Sequence, residues 1–591
     1  MRNIHKSLWL TVCLVVLCAG AAQAFQFQAS DSIKGSLDTQ FTLGAGMRMV
    51  NQNPQLIGDP GKNSGANTGF SSNGDDGNLN YNKYDLYTTY LKVTPELLLK
   101  FPQDFKFMAR ATGLYDWKAA DTERTDLSHD AKYQVQQDIQ LLDLWASKDF
   151  NIGSQRARVR LGYQVINWGE SIFAVGGINA TNSLDFQRLQ IPGTQLKEAV
   201  LPAPILSVAS GLGSGVNVEA YYQFRWNKNR LPPVGTYFSV ADILGKGRQP
   251  LFVNVDPTSS NFVNFGGLDP AADPSQANTF GVVFRDDQTP SNSGQYGVAM
   301  HYKPQGISLD LGFYFMNYHD KMPVLGTMAD GASAQWTYLE DRKMYGVSAN
   351  FPLGNWAIGW ELSYRPKDAV ALTGCYGPGG PLDAITNGVT GIDCPMYIDE
   401  KKYQMHLTGL LSMTPGDHGW FLDLLWADTA TFTGEVVGIR YPGVSPDKRY
   451  TRNVGGKDVM QAPAAGYGFW KDGTLPPTDI GAGPIAYNTV AGVGDANSFG
   501  VTVDFNWAYD NKLIKGWTVI PGITYFRALQ GNTPTLTANY LEGAQSMNMY
   551  VLFNQSAPTR WQAGINYTNY WGKNQLLGDR DFIGGFVTRN F

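Results

Sequence analysis

From Ile33 to Met49 the chain alternates with a period of two. Odd positions carry Ile33, Gly35, Leu37, Thr39, Phe41, Leu43, Ala45, Met47 and Met49; even positions carry Lys34, Ser36, Asp38, Gln40, Thr42, Gly44, Gly46 and Arg48. Successive side chains of a strand point to opposite faces, so this stretch has one apolar and one polar face. It is also long. Strands of soluble sheets run about five or six residues, whereas crossing hydrocarbon takes roughly 9–11 tilted residues. Apolar toward lipid and polar toward a wet lumen is the pattern of a membrane β-barrel. The pattern recurs to the final residue, Phe591. The expected fold is all-β: a transmembrane, antiparallel, up-and-down barrel of about eighteen strands, range about 16–18.

The bulk composition agrees. A chain of 591 residues would ordinarily divide into several soluble domains, but a barrel puts its length into a wall. With 43% hydrophobic residues and a mean hydropathy of -0.24 it is too polar for a helical membrane bundle. Aromatic residues at 13% suit the two interfacial girdles of a barrel. A net charge of -5 gives no reason to expect nucleic acid.

Arg2, His5 and Lys6 precede an apolar run from Leu8 to Ala19 and then Ala22-Gln23-Ala24. This reads as a secretory signal, residues 1–24, cleaved before Phe25. The remainder, 25–591, is expected to be one barrel domain in the outer membrane of a Gram-negative cell. Cleavage would leave Cys375 and Cys394, which flank a Gly/Pro-rich segment and are expected to pair as one disulfide.

Alternation and chain breakers place hairpins at Pro102-Gln103-Asp104, Pro304-Gln305-Gly306 and Pro352 to Asn355. Short connections follow even-numbered strands. Long ones follow odd-numbered strands: Asn51–Lys83, Trp168–Pro202, Arg230–Ser293, Asp368–Lys401 and Thr431–Asn497. Short periplasmic turns and long extracellular loops put both termini in the periplasm. The first strand should start near Ser32, directly after the signal, which leaves no room for an N-terminal plug. It should pair with the last strand, whose terminal Phe591 resembles the signal read by the outer-membrane assembly machinery.

Leu161-Gly162-Tyr163-Gln164-Val165-Ile166-Asn167-Trp168-Gly169-Glu170-Ser171, Gly177-Ile178-Asn179, Pro192 to Ala199 and Pro233 to Ser239 carry a resemblance, joined by Phe313–Pro323 and Asp579 to Phe582. Together they resemble a proteobacterial family catalogued as domain of unknown function thirteen-oh-two. The resemblance implies a large outer-membrane barrel, often encoded near envelope lipid-transport or hydrophobic-compound genes. Periplasmic transport partners follow from that implication; established catalytic residues do not.

Arg156, Arg158 and Arg160 share the lumen side, opposite Ala157, Val159 and Leu161; Lys92, Lys100, Lys106 and Arg110 join them from nearby strands. Like charges so close need acids or water. The nearest acids in sequence, Glu170, Asp185 and Glu198, all lie in the Trp168–Pro202 connection, where Asn182 and Ser183 can cap a short helix. The expectation is an inward-folded loop whose acids face the basic wall; the competing reading is an arginine ladder that braces the barrel. Trp145, Trp226, Trp336, Trp360, Trp426, Trp507, Trp517 and Trp561 are expected at membrane interfaces. No histidine pair has metal-like spacing, so neither metal nor cofactor is expected. Asp75-Asp76 with His129-Asp130 would suit a carboxylate–histidine hydrolase only if the fold joined them.

The reading is therefore a channel for passive or facilitated passage of small anionic, amphipathic or hydrophobic molecules. Its partners are outer-membrane lipid, the assembly machinery and the cargo itself. The alternatives are a hydrolase at the outer face and a non-conducting surface or assembly protein.

Overall fold

The computed structural model describes residues 25–30, 32–53, 56, 75–249, 251–252, 281–327, 333–373, 394–454, 457–466, 492–556 and 560–591. The expected signal, residues 1–24, and Cys375 lie outside them.

Eighteen antiparallel strands close into a barrel. In chain order they are β1 (Ile33–Arg48), β2 (Leu86–Lys100), β3 (Phe105–Asp116), β4 (Gln137–Ile152), β5 (Gln155–Gln164) and β6 (Ala203–Gly213). Next come β7 (Val216–Gln223), β8 (Gln295–Tyr302), β9 (Asp310–Tyr318), β10 (Arg342–Leu353), β11 (Trp356–Ala371) and β12 (Tyr397–Met413). The wall ends with β13 (Thr429–Arg440), β14 (Asn497–Asp510), β15 (Trp517–Gln530), β16 (Ala544–Gln555), β17 (Trp561–Gly572) and β18 (Phe582–Asn590). Each strand pairs with its neighbours in sequence, and β18 pairs with β1 from Gln40↔Asn590 to Arg48↔Phe582. Phe591 extends the seam, exchanging backbone hydrogen bonds with Thr39 at 3.2 and 3.0 Å.

The wall is inside-out. On β12, Tyr403, Met405 and Leu407 are 38%, 40% and 46% exposed, while the intervening Lys402, Gln404, His406 and Thr408 are 6%, 0%, 0% and 5% exposed. β1 obeys the same rule with its even positions inward. Thr42 meets Thr588 at 2.8 Å, and Arg48 is fully buried. A chain that buries its charges and exposes its hydrocarbon is built for an apolar solvent outside.

Connections alternate in length as expected. One end carries short turns at 101–104, 153–154, 214–215, 303–309 and 354–355. Its exception holds a helix, Pro415–Leu425, between β12 and β13. The other end carries long loops, including 49–85, 165–202, 224–294, 319–341, 372–396 and 441–496.

Several details differ from the sequence reading. A short strand, Phe25–Ser30, precedes β1 and pairs with it from Phe25↔Leu37 to Ser30↔Ile33, below the edge that β18 covers. The segment expected as a loop from Thr431 continues as strand to Arg440. Its lumen side at the long-loop end carries Val437 and Ile439, packed under loop residues such as Val444 and Leu541, so both faces are apolar there and the period disappears. β11 and β12 likewise extend to Ala371 and from Tyr397, into the expected loop 368–401. Trp336 is no interface anchor. It is 1% exposed, donates to the Ile243 carbonyl at 3.0 Å, and packs with Leu325, Met396, Ala464 and Leu536, which come from four other places in the long loops.

The seam is locked at the long-loop end by Arg48. All five of its N–H groups find acceptors: Val50 O at 2.8 Å, Asn78 O at 2.8 Å, Tyr81 O at 2.9 Å, Asn78 Oδ1 at 2.8 Å and Asp579 O at 2.7 Å. Asp579 also supplies the countercharge at 3.6 Å. One guanidinium therefore ties the end of β1, the start of β2 and the entry to β18 together. Arg48→Met leaves these acceptors without their donor and takes one of two cations from beside the buried Asp579, which keeps Arg580 at 3.5 Å; the cost is about 3 kcal/mol. Urea unfolding in micelles is expected to show a markedly lowered midpoint, while lipid-facing Val587→Ala shifts it little. Equal midpoints for Arg48→Met and the parent would contradict the role given to this residue.

Candidate functional site

The loop between β5 and β6 turns into the barrel. Asn182 closes its base, its amide oxygen accepting from Ile166 N at 3.0 Å and its amide nitrogen donating to Ile166 O at 2.5 Å. Beyond that clasp, residues 170–178 reach the wall formed by β11, β12 and β13, across the lumen from β5 in strand order.

That wall presents two carboxylates with an imidazole between them. His406 Nδ1 lies 2.7 Å from Glu435 Oε1 and His406 Nε2 lies 3.7 Å from Glu361 Oε1; all three are at most 1% exposed. The loop turns its backbone donors toward them. Glu361 accepts from the N–H groups of Glu170 at 2.6 Å and Ile178 at 3.0 Å. Glu435 accepts from Ile172 at 3.2 Å, Phe173 at 2.7 Å and Ala174 at 2.8 Å. Loop carbonyls meet wall donors in return: Gln404 reaches Val175 O at 3.0 Å, and Arg365 Nη2 reaches Gly176 O and Gly177 O at 2.6 and 2.8 Å. Glycine is required at this approach. A Cβ on Gly177 would stand 2.0 Å from Glu361 Oε1, and Gly169 combines a φ of +92° with 2.5 Å to Glu361 Oε2.

The loop then returns to the opposite side. Asp185, rather than Asn182 or Ser183, caps the helix Phe186–Leu189, accepting from Arg188 N at 2.8 Å. Its other oxygen meets Arg230 at 3.2 Å and Gln140 at 2.8 Å. The next helix, Leu196–Ala199, begins in a capping box between Gln195 and Glu198. Glu198 also pairs with Lys92 Nζ at 2.5 Å and accepts from Thr94 at 2.8 Å. Burial pushes its carboxyl up, but Lys92 and the three hydrogen bonds more than offset this and hold it below its usual range. Glu170 goes the other way: burial raises it, the nearby Glu361 adds to this, and its hydrogen bond from Asn350 at 2.8 Å opposes.

So the loop folds inward, but its acids do not meet the arginine ladder. Lys106, Arg156 and Arg158 converge instead on Asp149 of β4, at 2.9, 2.8 and 2.5 Å. Arg110 bridges Asp143 and Glu96, and Arg160 lies over the Trp145 ring at 4.3 Å. Asp149 sits directly opposite Arg158 in the β4–β5 register, so the ladder takes its countercharge from the adjacent wall strand rather than from the loop. Among the described residues, Asp75 and Asp76 share no contact with His129. Asp75 is buried against Arg580 at 2.5 Å, whereas the His129 side chain is 95% exposed and faces Asp130 at 3.5 Å. Cys394 is buried beside Met396; its expected partner lies outside the described residues.

Sequence reasoning missed Glu361, His406, Glu435 and Asp149. Their signal was present: ionisable side chains at inward positions of spanning strands are costly and call for partners.

Comparison with solved structures gives large barrels of the same general architecture. OccAB1 of Acinetobacter baumannii has a TM-score of 0.40 and 10% identity over 97% of this chain and 99% of its own. OpdK of Pseudomonas aeruginosa has a TM-score of 0.38 and 8% identity over 94% and 98%. OmpF of Salmonella typhi, in complex with daunomycin, has a TM-score of 0.34 and 7% identity over 96% and 100%. No curated protein matches the sequence. Residues 6–591 match the profile of a family described as a protein of unknown function, DUF1302, and the chain belongs to that family.

Proposed function

We propose that this chain is an outer-membrane channel with its short turns in the periplasm, in which the inward loop sets what passes and the basic wall favours anions. The observation that carries the reading is the loop itself, tied to Glu361 and Glu435 on one wall and to Lys92 on another. A closed wall with apolar residues outward and a polar interior supports the membrane setting. Charge supports the preference. Lys106, Arg156 and Arg158 crowd one carboxylate, and the Arg156 and Arg158 side chains remain 68% and 43% exposed. A wet ring with excess positive charge lowers the barrier for anions and raises it for cations.

Purified protein in a planar bilayer is expected to conduct, with a reversal potential under a salt gradient that reports anion preference. Replacing Arg156 and Arg158 by Ala should move that potential toward cations; a persistently silent barrel, or an unchanged potential, would overturn the corresponding half of the reading. Glu435→Ala removes the acceptor for three loop N–H groups, each worth roughly 1–3 kcal/mol when left unpaired. Single-channel conductance is expected to rise, and residues 169–178 to become protease-sensitive. If both match the parent, the loop does not control passage.

A further inference from the structure

Above the inward loop, toward the long-loop end, lies a cavity of about 200 Å³. Its lining holds three cations, Lys321, Arg365 and Lys402. Lys321 is 7% exposed, and its ammonium reaches only amide oxygens among the described residues: Asn227 Oδ1 at 3.4 Å and Gln295 Oε1 at 3.3 Å. Burial pulls its pKa down to about 7, against the raising effect of the adjacent Asp320. Arg365 is 1% exposed. Its Nε donates to Tyr318 Oη at 2.7 Å and its Nη2 to the two glycine carbonyls, while its Nη1 has no acceptor among the described residues.

The two carboxylates in the same lining are already engaged. Asp320 pairs with Arg342 at 3.2 Å. Asp368 pairs with Lys402 at 3.5 Å, accepts from Tyr441 at 2.6 Å, and stands 3.9 Å from Arg365 Nε. Of the lining's cations, Lys321 is the one left without a paired carboxylate among the described residues, an arrangement that is costly unless an anion completes it. The same lining also carries hydrocarbon, from Leu184, Phe186, Met322, Leu325, Met396 and Leu536.

We propose that this cavity binds a single-chain amphiphile with an anionic head, a carboxylate set against Lys321 with its alkyl chain along Leu325, Met396 and Leu536. The assignment rests on the channel reading in taking such a molecule as cargo held on its way past the loop. Charge alone would not select a chain, and the apolar lining alone would not select a head; the two together specify an alkyl carboxylate over either an alcohol or a short acid.

The test is equilibrium dialysis of labelled octanoate against the full chain in lipid nanodiscs, with empty nanodiscs as the blank. Saturable binding is expected, tightening about fourfold per methylene from hexanoate to octanoate, because each buried CH₂ adds a roughly constant increment. Octanol and octylammonium should compete poorly. Lys321→Met, which keeps the side-chain volume, is expected to weaken binding by about tenfold or more, and Lys321→Arg to restore most of it. Retained heat-modifiable gel mobility shows that each variant folds. No saturable binding to folded parent protein, equal competition by octanol, or unchanged affinity in Lys321→Met would overturn the proposal. Bilayer recordings on the same preparation separate the two readings. A conducting barrel that ignores octanoate removes the site and keeps the channel, and a silent barrel that binds it does the reverse.

Discussion

Everything in this molecule follows from closing a sheet on itself. Once β18 pairs with β1 from Gln40 to Arg48, the first and last strands of the wall leave no open seam there, and the backbone groups along it bond to each other rather than to solvent. The outside can then be hydrocarbon throughout, as at Tyr403, Met405 and Leu407, and the polar half of each strand is confined to the interior. Confinement forces the inward charges to find one another. Lys92 finds Glu198, Arg48 finds Asp579, and Arg365 finds loop carbonyls. The loops enter the barrel because the wall's unsatisfied groups are there to receive them.

That logic separates what could be read in the sequence from what could not. The period of two is local, so Ile33–Arg48, the Pro102 hairpin and the closing role of Phe591 were all legible. The Trp168–Pro202 connection was also legible as an inward element, because the crowded basic wall needed acids and this loop holds the nearest ones. Its partners were not. Glu198 meets Lys92, 106 positions away, and Glu435 meets Phe173 across 262 positions. Nothing in local spacing distinguishes those pairings from the arginines nearer in sequence, which were already matched by Asp149 on the adjacent strand. The β13 boundary failed for a related reason. Where loops cover the lumen side, Val437 and Ile439 replace polar residues, and the alternation that marks a strand is lost.

The chemistry of the anchor matches the expected one only in part: loop Glu198 meets wall Lys92. Sequence suggested acids on the loop and bases on the wall. At the far wall the acids belong to the barrel, and the loop contributes main-chain N–H groups, which any residue but proline can supply. The loop's side chains are therefore released from holding it in place. Ile172, Phe173 and Val175 are 44%, 37% and 45% exposed although their backbones are fixed. They are free to face whatever moves through the barrel.

The strength of that anchoring decides which parts can move. Nine hydrogen bonds join residues 170–178 to Glu361, Arg365, Gln404, Glu435 and Asn539. At roughly 1 kcal/mol each, and more where a carboxylate accepts, these bonds offset the backbone entropy lost on ordering the segment, about 1–2 kcal/mol per residue. Glu361 and Glu435 accept five of the nine, so swinging the whole loop aside would strip two buried carboxylates of their donors at once. Rotation of the side chains displayed on the loop costs only about 1 kcal/mol per off-rotamer step and occurs on nanosecond timescales. In the channel proposed above, the loop is a fixed frame and those side chains are the parts that move.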